Sequence, residues 1–189
     1  MSPRAGLGTQ TVIEAATALV DELGADQLSL ALLAQRLGVR KPSLYNHISS
    51  LASLKYQVAV QSKREILSVM TRALADKSGL DAMFALAEAY RAYAQAHPGL
   101  YALAEQLHAS EKDAELLAVE EAIFACVRTV VAPYQLSAEE INTAILGVRS
   151  IIEGFLSLEL AGNLHSTVDL AQAFHQVIQA FFKGIVPLK

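Results

Sequence analysis

The sequence predicts an all-α fold of about nine helices, and three observations predict it. The five prolines (Pro3, Pro42, Pro98, Pro133, Pro187) all stand where the apolar pattern breaks. Between them the apolar residues recur at helical spacing. No alternating, β-branched run bounded by turn residues persists. Hydrophobic residues make up 53% of the 189, enough to build cores and too many for a disordered chain.

The first helix is expected from Thr9 to Leu23, where Val12, Ile13, Ala16, Leu19, Val20 and Leu23 form one apolar face and Gly24 follows as the stop. The second runs from Ser29 to Leu37, with Leu30, Leu33, Ala34 and Leu37 at i, i+3, i+4, i+7 and Gly38 at its end. The third opens near Pro42, which suits a first helical turn because its missing N–H costs nothing there. A long fourth pattern covers Leu51 to about Lys77, closed by Ser78-Gly79, and Leu80–His97 follows up to Pro98-Gly99. A short Leu100–His108 segment precedes a helix from Asp113 to Val131, which stops before Pro133. Ser137-Ala138-Glu139-Glu140 is a capping box for a helix reaching about Ala161, and a last helix spans Thr167 to Lys183. The expected division is a reading domain over residues 1–50, a linking helix over 51–77 and a second helical domain over 78–189.

Charge is unevenly placed. Residues 1–64 hold seven basic and four acidic groups, whereas 65–189 hold eight and fifteen. From Gln27 to Arg64 there are six basic groups and no acid. Such a segment in a chain of net charge −4 suggests a polyanion partner, because each neutralised phosphate releases counterions. The same segment contains two short amphipathic helices joined by Gly38-Val39-Arg40. Gly38 can take positive φ for the sharp turn and Val39 can plug the crevice between the helices. This is the arrangement that lays a second helix in the major groove of duplex DNA. Its outer face would show Lys41, Ser43, Asn46 and His47 with Tyr45 on the flank, and Arg40 and Lys55 join the set. Lys and Asn suit guanine and adenine edges; Ser, Tyr and His suit phosphates or bases. His47 has a second reading as a solvated surface group.

The run from Leu33 through Ile48, with its Gly38-Val39 turn and Leu44-Tyr45-Asn46-His47, resembles the DNA-binding signature of the TetR family of bacterial regulators. Ala15-Ala16 and Glu22-Leu23-Gly24 also fit that family's first helix. The resemblance implies a homodimeric, ligand-responsive repressor whose fourth helix joins a DNA reader to an effector-binding core. It implies that Lys41, Pro42, Ser43 and Tyr45 approach bases, while Tyr45 and His47 touch phosphates. The family's usual Lys at the start of the fourth helix is replaced here by Leu51, and its usual Phe before that helix by Ile48. Backbone N–H groups near Ser49-Ser50, or Lys55 one turn on, could take over that phosphate. In the second half, His97-Pro98-Gly99-Leu100-Tyr101 and Arg149–Phe155 resemble a subclass with a Trp-His-Gly triplet, whose place is held here by Ile152-Glu153-Gly154.

The second domain offers two further sets. Tyr90, Tyr93 and Tyr101 cluster around the break at Pro98 and either pack the core or line an effector cavity, with Phe124 and Arg149 as further contacts. Arg149 and Glu153, four apart, form either an ion pair at a dimer interface or a polar group that orients a ligand. The last two helices carry more apolar surface than one outer layer can hide. A four-helix dimer interface of Ile141, Ile145, Val148, Ile152, Phe155, Phe174, Val177, Ile178 and Phe181 is therefore expected. Cys126 lies in an apolar run and reads as a buried inert thiol.

Other classes are disfavoured. There is no Gly-rich phosphate loop, nucleophile elbow or Rossmann pattern, so no enzyme activity and no cofactor are expected. His97, His108, His165 and His175 lack the spacing of a metal site. Charge interrupts the apolar stretches before ~18 residues, so no membrane span is expected. The first residues lack the order of a signal peptide, which points to the cytoplasm. An interaction module with a degenerate reading head is the rival to a DNA-binding regulator.

Overall fold

The computed structural model describes residues 7–107, 113–164 and 169–185. His108 and His165 lie outside them. Among the described residues there are nine α-helices and no strand. They are α1 (Thr9–Leu23), α2 (Leu30–Leu37), α3 (Lys41–Leu44), α4 (Leu51–Ala73), α5 (Gly79–Ala96), α6 (Pro98–Glu105), α7 (Ala114–Val131), α8 (Ala138–Leu160) and α9 (Leu170–Ile185), with a 3-10 turn at Ala132–Tyr134 between α7 and α8.

Local chemistry sets most of these ends. Ser29 caps α2 by accepting from the Leu32 N–H, and Asp113 caps α7 by accepting from Leu116. At α8 the capping box is complete: Ser137 Oγ accepts from Glu140 N–H while the Glu140 carboxylate accepts from Ser137 N–H at 2.7 Å. Those bonds hold the Glu140 carboxyl below its usual range, the one from the Ser137 backbone most. α4 stops at Ala73, earlier than the apolar pattern suggested. The chain turns there through three-residue hydrogen bonds, with Asp76 at φ +58°.

The chain divides into two compact units. Among the described residues, 7–63 and 97–107 form one, and 64–96, 113–164 and 169–185 the other. α4 contributes residues to both units, and α6, expected in the second domain, groups with the N-terminal helices.

In the N-terminal unit, Val12, Ala16, Leu33, Leu44, Leu54 and Val58 form the centre of a core that also includes Leu100 and Leu103 of α6. Burying each large aliphatic side chain of this kind contributes roughly 1.5–3 kcal/mol relative to exposure. α6 sits so close to α1 that a β-carbon on Gly99 would lie 2.3 Å from the Val20 carbonyl oxygen. Beside that contact His97 Nδ1 lies 2.8 Å from Asp21 Oδ2, and Ser62 of α4 donates to the Leu100 carbonyl.

In the other unit α5 packs against α7, α8 and α9, and α8 packs against α7 and α9. α8 buries its Ala144, Val148, Ile152, Leu156 row, and α9 buries Phe174, Ile178 and Phe182. Cys126 is buried and its thiol is pushed up by that burial, as an inert core cysteine requires.

Candidate nucleic-acid interface

The α2–α3 turn follows from two residues. Gly38 takes φ +65° and ψ 30°, donating its N–H to Gln35, while the Val39 N–H reaches back to Ala34. This pair of bonds satisfies the last carbonyls of α2 and reverses the chain, and the left-handed conformation is one that side chains resist. Val39 then packs against the core, as expected for a plug between the helices. Arg40 is extended, at φ −82° and ψ 142°, and α3 begins at the next residue with Pro42 in its first turn.

From Lys41 to Ile48 the side chains repeat every four residues. Leu44 and Ile48 are buried, Ser43 and His47 are half-buried, and Lys41, Pro42, Tyr45 and Asn46 are exposed. After Leu44 the backbone continues as turns, held by the Asn46 and His47 N–H groups donating to Ser43 and Leu44. The buried pair anchors the segment, so the opposite side must face outward. Tyr45 is 53% exposed, unusual for a large aromatic ring.

The basic groups fall into two kinds. Arg36 is engaged by the chain itself at the surface, gripping Glu22 of α1 through two 2.6 Å bonds. The Glu22 carboxylate holds the Arg36 guanidinium above its usual range, and Arg36 holds Glu22 below its own. Lys63 is buried, and Arg64 pairs with Glu115 at 2.5 Å. By contrast Arg40, Lys41, Tyr45, Asn46, His47 and Lys55 have no side-chain hydrogen bond or ion pair with any described residue. The acid-free stretch therefore overstated the free positive charge: three of its six cations remain available. Leu51 is half-buried against the core rather than directed at a partner. Ser50 caps α4 by accepting from Ser53 N–H, and Lys55 stands one turn further on.

Four of the five effector candidates share one unit. Tyr90 is buried and donates to Glu153 at 2.5 Å, and Tyr93 is buried and donates to Glu65 at 3.2 Å. Arg149 lies over the Phe124 ring at 5.8 Å. Tyr90, Tyr93, Phe124 and Arg149 belong to the C-terminal unit, whereas Tyr101 is buried in the N-terminal one.

The residues of the expected dimer-interface set divide within the single chain. Val148, Ile152, Phe174 and Ile178 are buried within the single chain, and Phe181 packs its ring onto Gly147 of α8. Phe155 packs on Phe174 with ring centres 4.9 Å apart, and Ile141 and Ile145 are half-buried. Of the set, Val177 is exposed. The most regular apolar row of α8 faces its own core; the other side presents Leu146, Ser150, Gly154 and Leu158. By length and composition α8 alone among the described helices is apolar enough to cross a membrane, although Arg149 and Glu153 interrupt its apolar stretch as expected.

A polar core in this unit was not anticipated from the sequence. Arg91 of α5, 7% exposed, holds Glu159 of α8 through bonds of 3.0 and 2.6 Å. It also lies over the rings of Phe155 and Phe174. Glu159 keeps its guanidinium above the usual range. Glu88 stands 3.6 Å from Arg91 and 2.9 Å from His175, whose ring stacks on Phe84. The available signal was an Arg three residues after a Glu in an otherwise apolar helix.

A short helical hairpin with a Gly-Val turn, and a polar face with no partner among the described residues, is a helix-turn-helix. A family model described as the tetracyclin repressor-like C-terminal domain matches residues 83–181. The chain is similar to Rv0681, an HTH-type transcriptional regulator of Mycobacterium tuberculosis, at 34% identity over 96% of this chain and 83% of that one. It is also similar to YobS, an HTH-type regulator of Bacillus subtilis, at 29% identity over 98% and 96%. A Rhodococcus sp. RHA1 protein shares the fold with a TM-score of 0.82 at 20% identity, covering 98% of this chain and 100% of that one. A TetR variant from Acinetobacter baumannii AYE, solved in complex with minocycline, shares it with a TM-score of 0.68 at 20% identity over 94% and 96%. The chain belongs to the TetR family of transcriptional regulators.

Proposed function

We propose that the protein is a one-component repressor that binds a pseudo-palindromic operator as a homodimer and releases it when a small apolar or amphipathic effector binds. The observation that carries the DNA reading is the row of polar side chains around α3 that no described residue satisfies, beside other cations that are engaged internally. Lys41, Pro42, Ser43, Tyr45 and Asn46 face the major groove in this reading. Arg40, His47 and Lys55 hold phosphates, with Lys55 serving the phosphate that the aliphatic side chain of Leu51 cannot bind.

The dimer reading rests on α8, whose side opposite the buried Ala144, Val148, Ile152 and Leu156 is left open. A second copy covering Leu146, Ser150, Gly154, Leu158 and Val177 would remove that surface from water. The effector would enter the C-terminal unit near Tyr90, Tyr93, Phe124 and Arg149. It weakens DNA binding only as far as it prefers the conformation whose reading heads miss the half-site spacing. The site of action is the cytoplasm.

In vitro selection from random duplexes at about 150 mM salt tests the reading, since weak non-specific binding is suppressed there. A two-fold symmetric site is expected. With three free cations per chain, a dimer should show a slope of about −5 in log affinity against log salt. No enriched sequence from a folded dimer would overturn the proposal.

A further inference from the structure

We propose that each operator half-site contains a guanine read by Lys41 and, two to three base pairs away, an adenine read by Asn46. This rests on the DNA-binding reading above and deepens it. The outward surface from Lys41 to Asn46 comprises two rows of side chains one turn apart: Lys41 with Tyr45, and Pro42 with Asn46. Leu44 and Ile48, both buried, fix which way those rows point. Arg40 precedes the helix with extended backbone and falls outside both rows, so it serves the flanking phosphates.

The bases follow from the chemistry of the two exposed readers. The Lys41 ammonium has donors only. Guanine offers two adjacent major-groove acceptors, O6 and N7, whereas adenine sets a donor beside its N7 and turns an ammonium away. The Asn46 amide carries one acceptor and two donors, which matches the N6 donor and N7 acceptor of adenine. Pro42, with no donor, presents only its ring, which suits a thymine methyl. Neither Lys41 nor Asn46 has a partner among the described residues, so no internal bond is broken when they turn to a base. Five residues rise about 7.5 Å in an α-helix and about 10 Å in a 3-10 helix. With the segment lying along the groove in this proposal, that separation spans two to three base-pair steps of roughly 3.4 Å.

The test uses the selected duplex, the full-length protein, and the Lys41→Ala and Asn46→Ala variants. Both positions are exposed, so both variants fold, which circular dichroism and thermal melting verify. Exchanging the adenine pair should cost the wild type roughly 5- to 150-fold in affinity and cost Asn46→Ala less than about twofold. Asn46→Ala should keep full discrimination at the guanine, and Lys41→Ala should show the mirror pattern. A selected site lacking these purines at that spacing, or an Asn46→Ala protein that still discriminates at the adenine, would overturn the assignment while leaving the DNA-binding reading intact. A pool that enriches nothing would overturn both.

Discussion

The two units use their polar groups in opposite ways. Around α3, Lys41, Tyr45 and Asn46 stand outward with no partner among the described residues, while the adjacent Leu44 and Ile48 are buried. In the C-terminal unit the conspicuous polar groups point inward: Arg91 holds Glu159 between α5 and α8, and Tyr90 reaches Glu153. The apolar groups reverse the pattern, with Leu146 and Leu158 outward on α8 at 68% and 46% exposure. A surface built to meet a polyanion leaves its charges unpaired. The α8 layer, proposed above to meet a copy of itself, leaves apolar groups uncovered and holds Arg91 and Glu159 inside.

The largest effect should come from the inward charges. Removing one partner of a buried ion pair leaves the other uncompensated and typically costs about 3–5 kcal/mol. Arg91→Ala should therefore destabilise the protein by about that much in urea unfolding, because the Glu159 side chain it abandons is largely shielded. The double variant Arg91→Met, Glu159→Leu should recover most of the loss. A single variant within about 0.5 kcal/mol of wild type would show that water reaches this pair freely, and the contrast between the units would weaken.

The two sides of α8 supply the next test. Ile152→Ala, on the buried row, should cost about 2–5 kcal/mol in folding stability. Leu146→Glu, on the open side, should leave the monomer's stability within about 0.5 kcal/mol. It should weaken the dimer more than tenfold in sedimentation equilibrium, because it places a charge under a second copy. A Leu146→Glu protein as dimeric as the wild type would move the interface elsewhere.

The same contrast explains what was legible in the sequence. α1 has the range its apolar face predicted, and the α2–α3 turn could be read from Gly38 and Val39, because local sequence determines both. What could not be read was which of two similar apolar surfaces is inside. Val148 and Leu146 are both aliphatic residues on one helix, and only the packing of α5, α7 and α9 shows that the first is buried. The placement of α6 was hidden for a related reason: the contact at Gly99 depends on Val20, distant in sequence, and a glycine beside a proline reads first as a turn. The basic stretch misled because a list of charges does not show that Arg36 is already gripped by Glu22.

In the N-terminal unit, Gly38→Ala should cost about 1–2 kcal/mol, the usual penalty for placing a side chain in the left-handed region. Gly38→Asn should cost less, since Asn tolerates that conformation. Space is not the issue, as no atom lies within 4 Å of a β-carbon there. A Gly38→Ala protein as stable as Gly38→Asn would mean the turn had been remodelled, and DNA affinity would reveal it through loss of the α3 orientation.

The smallest expected effect is a pH dependence carried by exposed carboxylates. Glu22 and Glu140 both sit below their ordinary range when folded, Glu22 through the Arg36 side chain and Glu140 through the Ser137 backbone N–H. A carboxyl with a lowered folded value adds stability above its unfolded value, and that stability disappears as pH falls through the folded one. The contribution is therefore full at neutral pH and fades below about pH 4. Because both groups are exposed, solvent screens them and the change in melting temperature should be slight. Glu140→Gln keeps a side-chain acceptor for the capping box but removes the titration, so its melting curve should lose part of the acid-side slope while staying close to wild type at pH 7. Glu22→Gln should do the same in the other unit, and also lose its response to added salt, since its partner Arg36 no longer faces a charge. If neither substitution flattens the acid-side slope, these two carboxylates do not carry the acid sensitivity of the fold.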